Sequence, residues 1–149
     1  MLEAYLRWQR TSFLNICAGL SAEQLGSRPL PPSTLSLLGL IRHLAKVERV
    51  WFRQRVAGEE IPPLHGGPGS PVDFEDGRVE EAGREIGVLR EEWQKSEAAV
   101  AEIPLDQTFS FRDETWSLRM VYLHMIAEYA RHNGHADLIR EHLDGVTGR

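Results

Sequence analysis

The stretch from Ser117 to Leu143, SLRMVYLHMIAEYARHNGHADLIREHL, constrains the fold more than any other. Its apolar positions recur three and four apart, which predicts one long helix with an inward stripe of Leu118, Val121, Met125, Glu128, His132, His135 and Ile139. Glu128, His132 and His135 interrupt that stripe with side chains able to bind a metal. Glu128 and His132, four residues apart, stand one turn above each other on one helix face, close enough to hold the same ion. Leaving such groups buried and unpaired is strongly unfavourable, so a metal, a hydrogen-bond network or solvent must satisfy them.

Earlier in the chain, Leu2, Tyr5, Leu6, Trp8, Phe13, Leu14 and Ile16 predict a helix over about residues 2–18, stopped by Gly19. Ser21 to Gln24 has the form of a capping box for a short turn, before Pro29, Pro31 and Pro32 end it. A second long helix is expected over about residues 34–57, with alternative caps at Ser33, Thr34 and Ser36. Its inward side reads Leu37, Leu40, Leu44, Val47 and Trp51, and His43 borders it. Residues 58–73, GEEIPPLHGGPGSPVD, hold four prolines and four glycines and predict an extended surface loop, either a crossover or a site rim, with His65 solvated.

A third helix is expected over about residues 78–102, with Val79, Ala82, Ile86, Leu89, Trp93 and Val100 inward and a charged outer side. Its early part is the weakest, because Gly83 and Gly87 each cost about 1 kcal/mol relative to alanine in a helix interior. The segment LDQTFSFRDETW alternates Phe109 and Phe111 with polar residues and fits a short hairpin or an extended crossover. Thr115 or Ser117 caps the last helix. With no second strand pattern to pair against, residues 1–149 are expected to form a single all-α domain, a four-helix bundle with a long connection between helices 2 and 3.

Charge and cysteine use narrow the function classes. A net charge of -5 argues against a nucleic-acid surface, which needs a clustered positive field. No stretch is apolar for long enough to span a membrane. One cysteine, Cys17, cannot form an internal disulfide and reads as a small core residue; with an N-terminus that lacks a signal-peptide run, it points to a reducing, cytoplasmic setting. The expected partner is a small molecule, and the expected assembly a homodimer through an apolar helix face.

Bundles build sites from side chains on facing helices. Here helix 4 offers Glu128 and His132, and helix 2 offers His43. Two imidazoles and one carboxylate leave a fourth position on a tetrahedral ion for water or substrate, as at a catalytic zinc; the same donors suit non-haem iron. His135 is placed for the other nitrogen of an imidazole or for moving a proton. His124 reads as a rim or surface histidine, His142 as a favourable charge near a helix end, and Asp137, Arg140 and Glu141 as ion pairs to neighbouring helices. Trp51 and Trp93 read as core or interface aromatics.

The segments PPSTLSLLGLIRHLAKVERVWF and SLRMVYLHMIAEYARHNGHADLIREHLDGVTG resemble the DinB/YfiT-like superfamily of four-helix metalloproteins. Within it they resemble the actinobacterial branch near the mycothiol-dependent maleylpyruvate isomerases. In that superfamily a helix-2 histidine and an H-x-x-x-H pair on helix 4 hold a divalent ion, often zinc or nickel. The resemblance places these ligands on His43, Glu128 and His132; the glutamate departs from the pattern, with a precedent in the E-x-x-x-H of the isomerase branch. It implies a metal-dependent S-transferase or isomerase that uses a low-molecular-weight thiol such as mycothiol on a small electrophile. The alternative is a non-catalytic metal- or small-ligand-binding four-helix-bundle dimer.

Overall fold

A computed structural model describes residues 1–148. The chain is mostly helical, with one small two-stranded sheet. Helix α1 covers Leu2–Cys17, and a short α2, Ala22–Gly26, opens on the Ser21 capping box. Ser36 is the cap the second long helix uses: its hydroxyl accepts from Gly39 N–H and starts α3, Leu37–Glu48. The helix then widens into a π-helical stretch, Arg49–Val56. Such turns recur at functional sites. This one sends Trp51 toward the hairpin, 4.9 Å from Trp116 between ring centroids, and Phe52 into the core, 5.2 Å from Tyr122.

The 58–73 loop ends in a short helix α4, Val72–Glu75, that packs on α3. Two α3 side chains strap it down. Arg42 donates to the carbonyls of Val72 and Asp73, and Lys46 donates to the Ser70 carbonyl. His65, expected in solvent, is instead nearly enclosed, its Nε2 3.1 Å from the buried Glu85 carboxylate. A 3-10 turn, Val79–Glu81, leads into α5, Ala82–Val100, which therefore starts four residues later than the periodicity suggests. Gly83 and Gly87 lie within it on its open side.

Strands β1, Thr108–Phe111, and β2, Glu114–Ser117, pair antiparallel and correct the expectation of a purely α-helical chain. Their two-residue turn holds Arg112 and Asp113 at φ 52° and 62°, the left-handed pair that a tight hairpin requires. Ser117 caps α6, Leu118–Asp144, by accepting from Met120 N–H, and Gly145 closes it in a left-handed conformation.

Helix α1 packs on α6, and α3 on α5. Their shared core takes Leu6 and Phe13 from α1, Leu40, Ile41 and Leu44 from α3, Leu89 from α5, and Val121, Met125 and Ile139 from α6. Tyr5 and Trp8, counted with the apolar face of α1, are exposed; Leu6, Arg10, Phe13 and Cys17 form the inward side. The outer side of α5 does not hold all its charge either, because Glu85 and Glu92 face inward. Arginines meet them there: Arg42 on Glu85, Arg49 and Arg53 on Glu92. Arg140 reaches the end of α1 through the carbonyls of Ile16 and Ala18; its ion pair is with Asp144 on its own helix.

At mid-height a polar knot joins the four long helices. Arg10 of α1 holds Glu48 of α3 bidentately at 2.8 Å on both oxygens; Tyr129 of α6 donates to Glu48 at 2.9 Å, and Trp93 of α5 donates to Tyr129 at 2.7 Å. Every charge there is matched.

Candidate metal centre

Three side chains converge where α3 crosses α6. Glu128 Oε1 lies 3.0 Å from His43 Nε2 and 3.3 Å from His132 Nε2, and one donor atom from each residue falls within 4.8 Å of the others. The i, i+4 spacing on α6 stacks Glu128 under His132, and the inward border of α3 brings His43 across to them. The two imidazole rings are 4.7 Å apart, edge to face. His132 is buried, while His43 and Glu128 keep a small exposed fraction of 15% and 16%, an opening for a ligand.

Each imidazole is held by its other nitrogen. His43 Nδ1 is 2.9 Å from Asp73 Oδ2, and His132 Nδ1 is 3.3 Å from His135 Nδ1. Phe74 stacks on the face of His43 at 4.8 Å. Asp73 is almost fully buried and also pairs with Lys46. Burial alone would raise its pKa, but hydrogen bonds from His43 and Lys46 outweigh that and hold the carboxyl below its ordinary value. Neither Asp73 nor Phe74 stood out in the sequence. The available signals were Lys46, one helical step from His43, and the Pro71-Val72-Asp73-Phe74 pattern, in which a proline can open a turn.

The electrostatics suit a cation. Hydrogen bonds from His132 and His43 drive the Glu128 carboxyl well below the usual carboxylate range. Burial disfavours charge on His43, yet Asp73 and Glu128 on either side overcome it and raise its pKa. Among the described residues no Lys or Arg pairs with Glu128; its charge faces two imidazoles only. Nitrogen and oxygen donors aimed at one point, with carboxylate and imidazole behind them, are a donor set that fits a divalent ion.

The remaining histidines divide by place. His135, half-buried, has its pKa lowered by burial, by His132 and by Arg131. His124 sits on the rim, 4.4 Å from the Trp51 ring, with burial lowering its pKa. His142 bonds the Leu138 carbonyl near the end of α6. The Cys17 thiol is buried, and that burial pushes it up to about 12, far from a nucleophile's range.

Residues 1–145 match the protein family described as mycothiol-S-transferase. No curated protein and no solved structure matches the chain. A family match over nearly the full length, joined to the DinB/YfiT-like features of helices α3 and α6, makes the chain a member of the mycothiol-S-transferase family.

Proposed function

We propose that the protein is a divalent-metal-dependent thiol S-transferase or isomerase, in which His43, Glu128 and His132 hold the ion and a mycothiol-type thiol attacks a small electrophile. The single observation that carries this is the convergence of those three donors on one point beside an open groove. A divalent ion there supplies Lewis acidity that favours the thiolate form of the cofactor thiol at neutral pH. The donor set by itself suits zinc and non-haem iron alike; the family resemblance puts zinc or nickel first and iron third.

The chain's own residues hold and orient. Asp73 accepts from His43 Nδ1–H and so leaves Nε2 with its lone pair free for the ion. His135, with its Nδ1 3.3 Å from His132 Nδ1, is placed to orient that imidazole or to move a proton. Glu128 contributes one negative charge and tempers the ion's Lewis acidity. The 68–74 strap, fixed by Arg42 and Lys46, covers His43 and excludes water from its Nδ1 side.

In this reading the enzyme is cytoplasmic and homodimeric, and the exposed Leu123 and Leu138 of α6 offer an apolar face to the second copy. Among the described residues no helix is long and apolar enough to cross a membrane.

The test is transfer itself. Protein loaded with zinc or nickel is mixed with mycothiol and an uncharged chloronitroarene, and the thioether is followed by mass spectrometry. Turnover that stops with chelator, returns with metal and is absent in His132→Ala is the expected result. No thioether above the uncatalysed background with either metal, or with ferrous iron tried in the same way, would leave a binding protein in place of an enzyme.

A further inference from the structure

Next to the three donors a groove of about 650 Å³ opens between α3, the 68–71 loop and the hairpin. Trp51, Phe111 and Trp116 form its aromatic wall. One cation is set into that wall. The Arg55 guanidinium lies 4.0 Å from the Trp51 ring centroid and 3.8 Å from that of Phe111, a double cation–π seat that holds it in place.

Arg55 differs from the other half-buried and buried arginines of the fold. Arg10, Arg42, Arg49 and Arg53 each pair with a glutamate. Among the described residues, no acid pairs with Arg55 and no acceptor takes its N–H groups. The acids at the groove are engaged elsewhere: Asp73 with His43 and Lys46, and Glu114 with the Trp116 indole. Arg112 adds a second cation without an acidic partner at the hairpin tip, 5.1 Å over Phe111. Burial, and then the like charge of Arg112, lower the Arg55 pKa to about 10, which still leaves it charged at neutral pH. A guanidinium held between two rings and left without a counter-charge is a preformed fork for a planar anion.

We propose that Arg55, helped by Arg112, anchors the electrophile, so that the groove selects a flat aromatic substrate carrying a carboxylate. This rests on the proposed thiol transfer for the word electrophile; the anion subsite itself does not need it. The ring of such a ligand would lie along Trp51 and Trp116, with its anion on Arg55 and its reactive carbon toward the His43 end. With a chloronitrobenzoate, the thiolate forms a C–S bond at the carbon bearing chlorine, the C–Cl bond breaks, chloride leaves, and the thiol proton passes to solvent.

Binding is measured first, by calorimetry, with a naphthalene carboxylate and its uncharged carboxamide; neither metal nor thiol is needed. The carboxylate should bind roughly tenfold to a hundredfold more tightly, the range for a charge-assisted hydrogen bond. Arg55→Gln should erase the preference, Arg55→Lys should keep part of it, and His132→Ala should leave it in place. Equal binding of the two ligands, or a preference that survives Arg55→Gln in a variant with unchanged circular dichroism, overturns the proposal. In turnover, Arg55→Gln should raise KM for a chloronitrobenzoate, leave KM for its methyl ester nearly unchanged and spare KM for the thiol. A rise confined to the thiol's KM would give the anion subsite to the thiol and overturn the assignment. Thioether formed from the neutral ester with no carboxylate preference sinks the subsite alone; a carboxylate preference with no thioether sinks thiol transfer alone.

Discussion

Glu128 of α6 meets His43 of α3 at 3.0 Å across a sequence separation of 85 residues. Without an ion, protons must bridge two imidazoles and one carboxylate; an ion would give the same donors a common centre, and it would then bind the folded chain and not the unfolded one. The protein as purified should therefore carry about one divalent ion per chain, a stoichiometry set by the one donor cluster found among the described residues. At an ion concentration a thousandfold above Kd the linked stability is about 4 kcal/mol, so chelation should lower Tm by roughly 10 °C. His43→Ala and His132→Ala should be metal-free by elemental analysis and indifferent to chelator. A wild-type protein whose Tm ignores both chelator and added metal would contradict the centre.

Asp73 holds His43 from behind, and a buried carboxylate in that place raises the ligand's basicity. Asp73→Asn keeps the shape and an accepting oxygen but removes the charge. Metal affinity, read by competition with a chromogenic chelator, should fall roughly 10- to 100-fold. Lys46 then loses its partner as well, so Lys46→Met in the same background should recover stability without recovering affinity. An Asp73→Asn affinity equal to wild type would reduce Asp73 to a strap for the loop.

These relationships were unequally legible in the sequence. The span of α6 and Ser117, one of its two candidate caps, follow from local periodicity and capping chemistry, but its stripe is only partly right: Leu118, Val121, Met125, His132 and Ile139 are buried, Glu128 and His135 only half so, and Tyr122, Tyr129, Asn133 and Ala136 join the buried side. His43, Glu128 and His132 could be grouped because each sits on or beside an apolar stripe where a polar side chain stands out. Asp73 could not, since it reaches His43 from the far end of a glycine- and proline-rich loop that has no period to read. Arg10, Glu48, Glu85 and Glu92 were hidden for another reason: hydrophobic patterning assigns charged residues to solvent, and only pairing between helices far apart in the chain makes their burial tolerable. The hairpin stayed ambiguous because Arg112 and Asp113 occupy left-handed positions where glycine or asparagine would have announced the turn.

The knot around Glu48 makes a stability prediction. Arg10 and Glu48 are 3% and 0% exposed, so truncating Arg10 leaves Glu48 as an uncompensated charge in the core, whereas truncating Glu48 leaves Arg10 only its second partner, the half-exposed Glu97. Arg10→Met or Glu48→Leu alone should cost about 3–5 kcal/mol in urea denaturation, while the double variant should recover much of that loss. Tyr129→Phe removes a hydrogen bond at each end of its hydroxyl and should cost about 1–3 kcal/mol, with Trp93 Nε1 left without its acceptor. Additive losses in the double variant, with no recovery, would show that the pair is not coupled.

Alkaline pH should loosen the fold through two buried acids. Burial pushes the Cys17 thiol up to about 12; burial and then the charge of Glu3 push the Tyr122 phenol up to about 12. In the unfolded chain the same groups lose their protons near about 8.5 and 10. Their folded pKa values lie above their unfolded ones, so their contribution to stability is complete below about pH 8.5 and is lost as pH rises toward 12. Urea midpoints should accordingly fall across pH 9 to about 11, and Cys17→Ala should flatten the first part of that fall. The native thiol should also resist an aromatic disulfide reagent at pH 8 and react at once in denaturant. A thiol that reacts within seconds in the native protein would mean that the end of α1 opens, and would remove Cys17 from the core account.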